Sequence, residues 1–328
     1  MDQKGGFSRR AADPQIAVES SGGGAALAPF AHMALFYRTA SDYAEEVGQF
    51  IRAGLTAGEA VMVAVPRPRA LLLREEVGVY AADVTFADIT TVGRNPGRIL
   101  SAMHAFAQGH GGQPVRYVGE PGWRSRTAAE WREVARHEVL VNVAFAGQPV
   151  KALCPYDAGL GPAVLAQAEQ SHPALLQAGQ VRENECFAGV GIPQSDDALP
   201  DPPADSAALI YRDDPASARN FVRDRAKAEG LREPRLTDLV IAVGELAANT
   251  LRHTDGTGSV RVWVSGTEVI CEVRDSGHLR DALAGRLLPA ADAGRGHGLW
   301  VVQQVCDLVE MRTSESGTTF RLHMALRT

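Results

Sequence analysis

A chain of 328 residues is long enough for two domains with separate cores, and a composition of 45% apolar and 22% charged residues is that of a globular protein. A net charge of −6 gives no electrostatic basis for binding nucleic acid or an anionic membrane surface, so neither is expected as a direct partner. The four cysteines (154, 186, 271 and 306) form no CxxC pair, which speaks against a zinc site or a disulfide framework and for a reducing, cytoplasmic setting.

No apolar run approaches the roughly 20 residues needed to span a bilayer, and the first residues, MDQKGGFSRRAADPQ, lack a signal-peptide core. Residues 1–28 are rich in Gly, Ser and Ala without periodicity and read as a disordered tail. From there strands and helices alternate. MALFY (33–37) reads as a buried strand, and Ser41 is the expected cap of a helix running to Gly54. AVMVAVP (60–66) is a second strand, followed by a helix over 68–77 and a short strand at VTFAD. GRILSAMHAFAQG reads as a helix closed by Gly109, PVRYVGEP as a strand, and TAAEWREVARHEVLVNVAF as a long helix. VKALCPYD is the next strand and VLAQAEQSHPALLQ the next helix. This alternation predicts an α/β first domain, 29–191, with a mostly parallel sheet.

The run IPQSDDALPDPPADS (192–206) reads as an extended linker. In the second domain, 207–328, the strand AALIY precedes helices at 215–229 and 235–253. SVRVWVSG and EVICEVRDSG then alternate as antiparallel neighbours joined at Gly266-Thr267. A helix starts near His297, and a closing hairpin turns around Ser316-Gly317. Helices gathered on one face of a mixed sheet make an α+β sandwich.

The helix at 235–253 carries two faces. Leu236, Leu239, Val240, Val243, Leu246, Ala247 and Thr250 repeat at helical spacing, while Asp238, Glu245, Asn249 and Arg252 project from the other side. Pattern alone leaves a solvated face and a nucleotide and metal site both open. Two further signals lie downstream: Asp275-Ser-Gly277 after a strand, then GRGHGLW (294–300) running into an apolar helix. No Gly-Lys-Ser/Thr occurs, so a Walker A loop is excluded; the only lysines are Lys4, Lys151 and Lys227.

This ordered set resembles the ATP-binding module of the GHKL superfamily, of the Bergerat type, over about 207–328. The ELxxNxxRH form of the first box is most similar to the serine kinases that act as anti-sigma factors. The resemblance implies ATP and Mg²⁺ as cofactors. It makes Glu245 the catalytic base, Asn249 the Mg²⁺ ligand through its amide oxygen, and Asp275 the acceptor for the adenine amino group. Arg252 lies within reach of phosphate or of a partner, Gly277 leaves room for the base, and Gly294, Gly296 and Gly298 bring backbone N–H groups to the phosphates. One departure stands out: the family's Asp-x-Gly-x-Gly reads DSGHL here, with Leu279 in the second glycine place. Arg280 and Arg286, in the segment that follows, are further phosphate candidates or ordinary loop arginines.

The first domain, from HMALFYRTASDYAEEVGQF through RYVGEPGW (116–123) and CPYD (154–157), resembles the MEDS sensory domain over about 29–180, which implies a RecA-like fold and a small-molecule signal. His32, Tyr37, Glu120, Trp123, Cys154, Tyr156 and Asp157 fall at expected strand ends, where ligands of parallel sheets collect. Packing is the plainer role for Tyr37 and Trp123, an inert buried thiol for Cys154, and a turn cap for Glu120.

Together the resemblances imply an ATP-dependent serine/threonine protein kinase that sequesters a sigma factor and phosphorylates a STAS-domain antagonist under control of a sensor, with a homodimer as a further expectation. Two alternatives stay open: a sequestering module without kinase activity, and a histidine kinase with His137 of ARHEVLVN as phosphoacceptor.

Overall fold

The structure, a computed structural model, describes residues 30–189, 199–289 and 296–326. The stretch 1–28, residues 192–198 of the linker and Gly294 lie outside the described residues.

The first unit is a seven-stranded sheet in the order β3-β2-β4-β5-β1-β6-β7, with β1 (Phe30–Tyr37), β2 (Ala60–Val65), β3 (Val84–Asp88), β4 (Val115–Gly119), β5 (Val150–Asp157), β6 (Ala174–Gln177) and β7 (Gln180–Glu183). All pairings are parallel except β6–β7. Both faces are covered, so the central strands read as continuous apolar runs. Met33, Leu35, Val61, Val63, Val118 and Leu153 share one core with α1 (Ala40–Thr56) and α2 (Arg67–Val77). Met62, Tyr117 and Ala152 point the other way, toward α3 (Ile89–Val92), α4 (Ile99–Gly109) and α5 (Ala128–Ala144). Farther along that face, Ala34, Cys154 and Tyr156 pack against α6 (Pro162–Ser171).

Two expected boundaries move, and a third helix ends where expected but turns later. Thr39, not Ser41, caps α1, because only Thr39 has a carboxylate three residues on: its hydroxyl accepts from Asp42 N while Asp42 accepts from Thr39 N. Gly109 is the last residue of α4, and the left-handed turn comes at Gly111 and Gly112. The expected single helix over VLAQAEQSHPALLQ stops at Ser171. Pro173 lacks an N–H and drives His172 into extended geometry (φ −112°, ψ 120°), so Ala174–Gln177 joins β1 as β6. Ala178 and Gly179, both at positive φ, then turn the chain back into β7.

The second unit is a five-stranded sheet in the order β11-β12-β10-β9-β8, built from β8 (Ala207–Arg212), β9 (Thr257–Ser265), β10 (Glu268–Asp275), β11 (Leu308–Ser314) and β12 (Gly317–Ala325). Every described pairing is antiparallel, so the expected mixed sheet is corrected: short hairpin loops at Gly266-Thr267 and Glu315-Ser316 fix β9–β10 and β11–β12, and the longer connections set β8–β9 and β10–β12 antiparallel as well. Helices α7 (Pro215–Ala228), α8 (Arg235–His253) and α9 (His297–Val305) cover one face, and the apolar stripe of α8 packs into that core. No helix among the described residues is long and apolar enough to cross a membrane.

Candidate functional site

On α8, Glu245 and Asn249 are half-buried one turn apart, while Arg252 and His253 are exposed at the helix end. The Glu245 carboxylate lies against the first turn of α9: a methyl group added to Gly298 would sit 2.5 Å from Glu245 Oε2. Gly296, at φ +100°, is the left-handed residue that opens this helix, and a side chain there would meet open space. The first turn of α9 therefore begins beside the Glu245 carboxylate, with Asn249 one turn farther along α8, a place suited to a metal-bound anion.

Asp275 ends β10 and is fixed from two directions. Thr250 donates to its Oδ2 at 2.8 Å, and Gly277 N donates to its Oδ1 at 2.9 Å. Thr250 is in turn held by Tyr211 at 2.9 Å. Thr250 reads in the sequence as part of the apolar stripe; its hydroxyl orients a site residue, and only contact with a neighbouring strand reveals it. Gly277 is close-packed, since a methyl there would lie 2.9 Å from Thr254 Cγ2, and its carbonyl accepts from Thr318. Leu279 packs on the domain core, and its N–H donates to Thr313 Oγ1. The departure from the family pattern therefore contributes a core side chain. Arg286 is not presented to a phosphate either: it is buried and donates to Glu133 on α5 at 2.6 Å.

In the first unit the seven candidates separate into groups. Tyr37, at the end of β1, donates to Glu120 Oε1 at 3.0 Å and accepts from Arg69. Burial pushes the Glu120 carboxyl up to about 7, against the opposing pull of Tyr37 and Arg69. Asp157 is held by Arg124 and by Gly159 N, and the Trp123 ring lies 3.6 Å from the Arg126 guanidinium.

His32, Cys154 and Tyr156 form the other group. His32 and Cys154 do not lie at strand ends as expected but within β1 and β5, on one face of neighbouring strands. They meet Glu138 of α5 and His172, four positions far apart in sequence that no spacing rule would join. Tyr156 donates to Glu138 Oε1 at 2.6 Å. Burial, then the neighbouring His172, hold His32 below the usual histidine range. An apolar cavity lined by Met62, Ile99, Met103, Tyr117 and His137 abuts Cys154. His137 is buried, and burial lowers it to about 4.

Residues 31–173 match the family model described as MEDS, the methanogen/methylotroph DcmR sensory domain, and residues 212–324 match the histidine kinase-like ATPase domain. The chain carries a MEDS domain followed by a histidine-kinase-like ATPase domain. Among solved structures, the Acinetobacter baumannii histidine kinase AdeS is similar at 13% identity, covering 37% of this chain and 68% of that one, with a TM-score of 0.24. No curated protein matches.

The two domains meet through α9 and the segment before it. Arg98 of the MEDS domain donates to the carbonyls of Gln303 and Cys306, satisfying the last turn of α9 with a cation. Asn95 bonds Gln303, and the Trp300 indole donates to Ser101 Oγ at 2.9 Å. Ala282, Leu283 and Leu287, between β10 and α9, pack on the MEDS core. Arg132 of α5 pairs with Glu310 of β11 at 2.7 Å. The sensory domain thus grips the C-terminal end of the helix whose N-terminal end faces Glu245.

Proposed function

We propose that this protein is a sensor-linked serine/threonine protein kinase of the anti-sigma type, which sequesters a sigma factor and phosphorylates a STAS-domain antagonist. The observation that carries the reading is the Glu245 carboxylate set against the N-terminal turn of α9, with Asn249 one turn farther on α8. The donor set fits Mg-ATP. Asn249 offers a hard oxygen to Mg²⁺, the glycines of α9 admit phosphates to backbone N–H groups, and Asp275 is held to accept from adenine. ATP, when bound, supplies the phosphoryl group. Glu245 accepts the proton of the attacking hydroxyl.

A histidine kinase using its own His137 is disfavoured, because that side chain is buried in α5 away from any acceptor role. A second reading, sequestration without phosphotransfer, draws on one observation: Arg286 is bound to Glu133 rather than free to approach phosphate.

Phosphotransfer from ATP to purified STAS-domain proteins, compared between the native chain and Glu245→Ala, tests the proposal. A fall of roughly 10²–10⁴ in rate with ATP binding retained is expected of a general base. Binding of ATP with no transfer to any STAS protein by the native chain would leave the sequestering reading in its place.

A further inference from the structure

His32, Glu138, Cys154 and His172 are 0%, 1%, 5% and 0% exposed, and one ligand atom from each lies within 4.8 Å of all the others. Their protonation follows from their outer partners. Asn142 donates its amide N–H groups to the carbonyls of Glu138 and Ser171, so its Oδ1 faces His32 Nδ1 at 3.0 Å and that nitrogen carries the proton. His172 Nδ1 lies 2.6 Å from the carbonyl of Ala168, which only accepts, so it too carries the proton. This leaves both Nε2 atoms facing the other members of the cluster. They lie 3.2 and 3.4 Å from Glu138 Oε2, itself an acceptor, and His172 Nε2 has no hydrogen-bond partner.

A carboxylate, a thiol and two imidazole nitrogens thus converge in a dry interior, where a carboxylate needs a cation beside it. We propose that these four side chains form a tetrahedral site for a Zn²⁺-class transition metal, with His32 Nε2, His172 Nε2, Glu138 Oε2 and Cys154 Sγ as ligands.

The dimensions agree. Ligands 2.0–2.3 Å from a tetrahedral Zn²⁺ are about 3.3–3.7 Å from each other. Four of the six edges are 3.2 Å (His32–Glu138), 3.4 Å (His172–Glu138), 3.4 Å (Cys154–His32) and 3.4 Å (Cys154–Glu138), and the two between His172 and the atoms of His32 and Cys154 lie within 4.8 Å, a gap that small ring rotations close. Charge agrees as well: binding displaces the Cys154 proton to solvent, and thiolate plus carboxylate neutralise a divalent ion in a buried setting. A sulfur and two imidazoles select against Mg²⁺ and Ca²⁺. The outer shell is complete, with Asn142 on His32, Ala168 O on His172 and Tyr156 on Glu138, the arrangement that orients metal-bound histidines and carboxylates. The site joins β1, β5 and the end of α6 to α5, the helix that also carries Glu133 and Arg132. It stands independently of the kinase reading.

The test uses the untagged full chain, stripped with chelator and titrated with Co²⁺ alone. One Co²⁺ per chain is expected, with the visible bands of a tetrahedral ion and a near-ultraviolet thiolate band, all displaced by Zn²⁺. The thiolate band should be lost in Cys154→Ser and kept in Cys186→Ser, which removes the exposed cysteine. If Cys154→Ser fails to fold by circular dichroism, the native titration decides alone. Less than about a tenth of a Co²⁺ per native chain, or a thiolate band lost with Cys186 instead, overturns the site.

Discussion

Glu133 of α5 accepts from Arg286 at 2.6 Å and from Arg312 at 3.3 Å, with no exposure of its own side chain. One carboxylate of the first domain thereby holds the segment between β10 and α9. Removing it leaves buried guanidinium groups unpaired, a change that costs about 3–5 kcal/mol. Glu133→Ala is expected to lower the melting temperature and, more tellingly, to speed amide hydrogen exchange across 280–289. Destabilisation with unaltered exchange in that segment would show that Glu133 does not anchor it.

Asp275 has a geometry that an amide cannot reproduce, since both carboxylate oxygens already accept from the protein. Asp275→Asn offers one acceptor in place of two. It should weaken ATP by about 1.5–3 kcal/mol, the worth of a hydrogen bond to a charged group. That is roughly one to two decades in Kd by titration calorimetry. Equal affinity for the two proteins would remove Asp275 from the adenine site.

The apolar stripe of α8, the two-residue hairpin loops and the parallel core strands were legible in the sequence because each is a local pattern with one period. The β6–β7 hairpin was not, because ALLQ continues a helical spacing and only Pro173 interrupts it. The role of Leu279 was also hidden: a glycine pattern indicates what is missing from a turn, not where the replacement side chain packs. The His32 cluster draws on four elements, and its members are separated by up to 140 positions (32 to 172). Glu138 and His172 entered it through tertiary packing alone. Glu133 was invisible for the same reason, its partners lying in the other domain.

His323 of β12 sits between Glu268 at 3.0 Å and Glu310 at 3.1 Å. Burial alone would lower it, but the two carboxylates prevail and raise it to about 9. A raised folded pKa means stability that is full below the ordinary value of 6.5 and is lost as pH climbs through 9. The shift corresponds to about 3 kcal/mol. The native chain should lose melting temperature between pH 6.5 and 9, with the loss reduced in His323→Gln. Parallel profiles for the two proteins would refute the assignment. Glu310 also pairs with Arg132, so weakening should extend to the interdomain contact.

Glu120 gives the same sign in a more acidic window. Its carboxyl, raised to about 7 by burial, is neutral in the folded domain where an unfolded glutamate near 4.5 has already ionised. The fold is therefore favoured below pH 4.5, and that advantage disappears as pH rises through 7. Glu120→Gln keeps an acceptor for Tyr37 but does not titrate. Near pH 4 the variant and the native chain should be about equally stable. At pH 8 the variant should be the more stable by up to about 3 kcal/mol, the native protein then carrying a buried anion. The two effects are separable, since Glu120→Gln leaves the alkaline decline from His323 in place. Denaturant unfolding at pH 4, 6 and 8 measures the difference directly. A gap that does not widen with pH would place the titration of Glu120 in the ordinary carboxylate range and overturn the idea that this pocket holds a neutral acid.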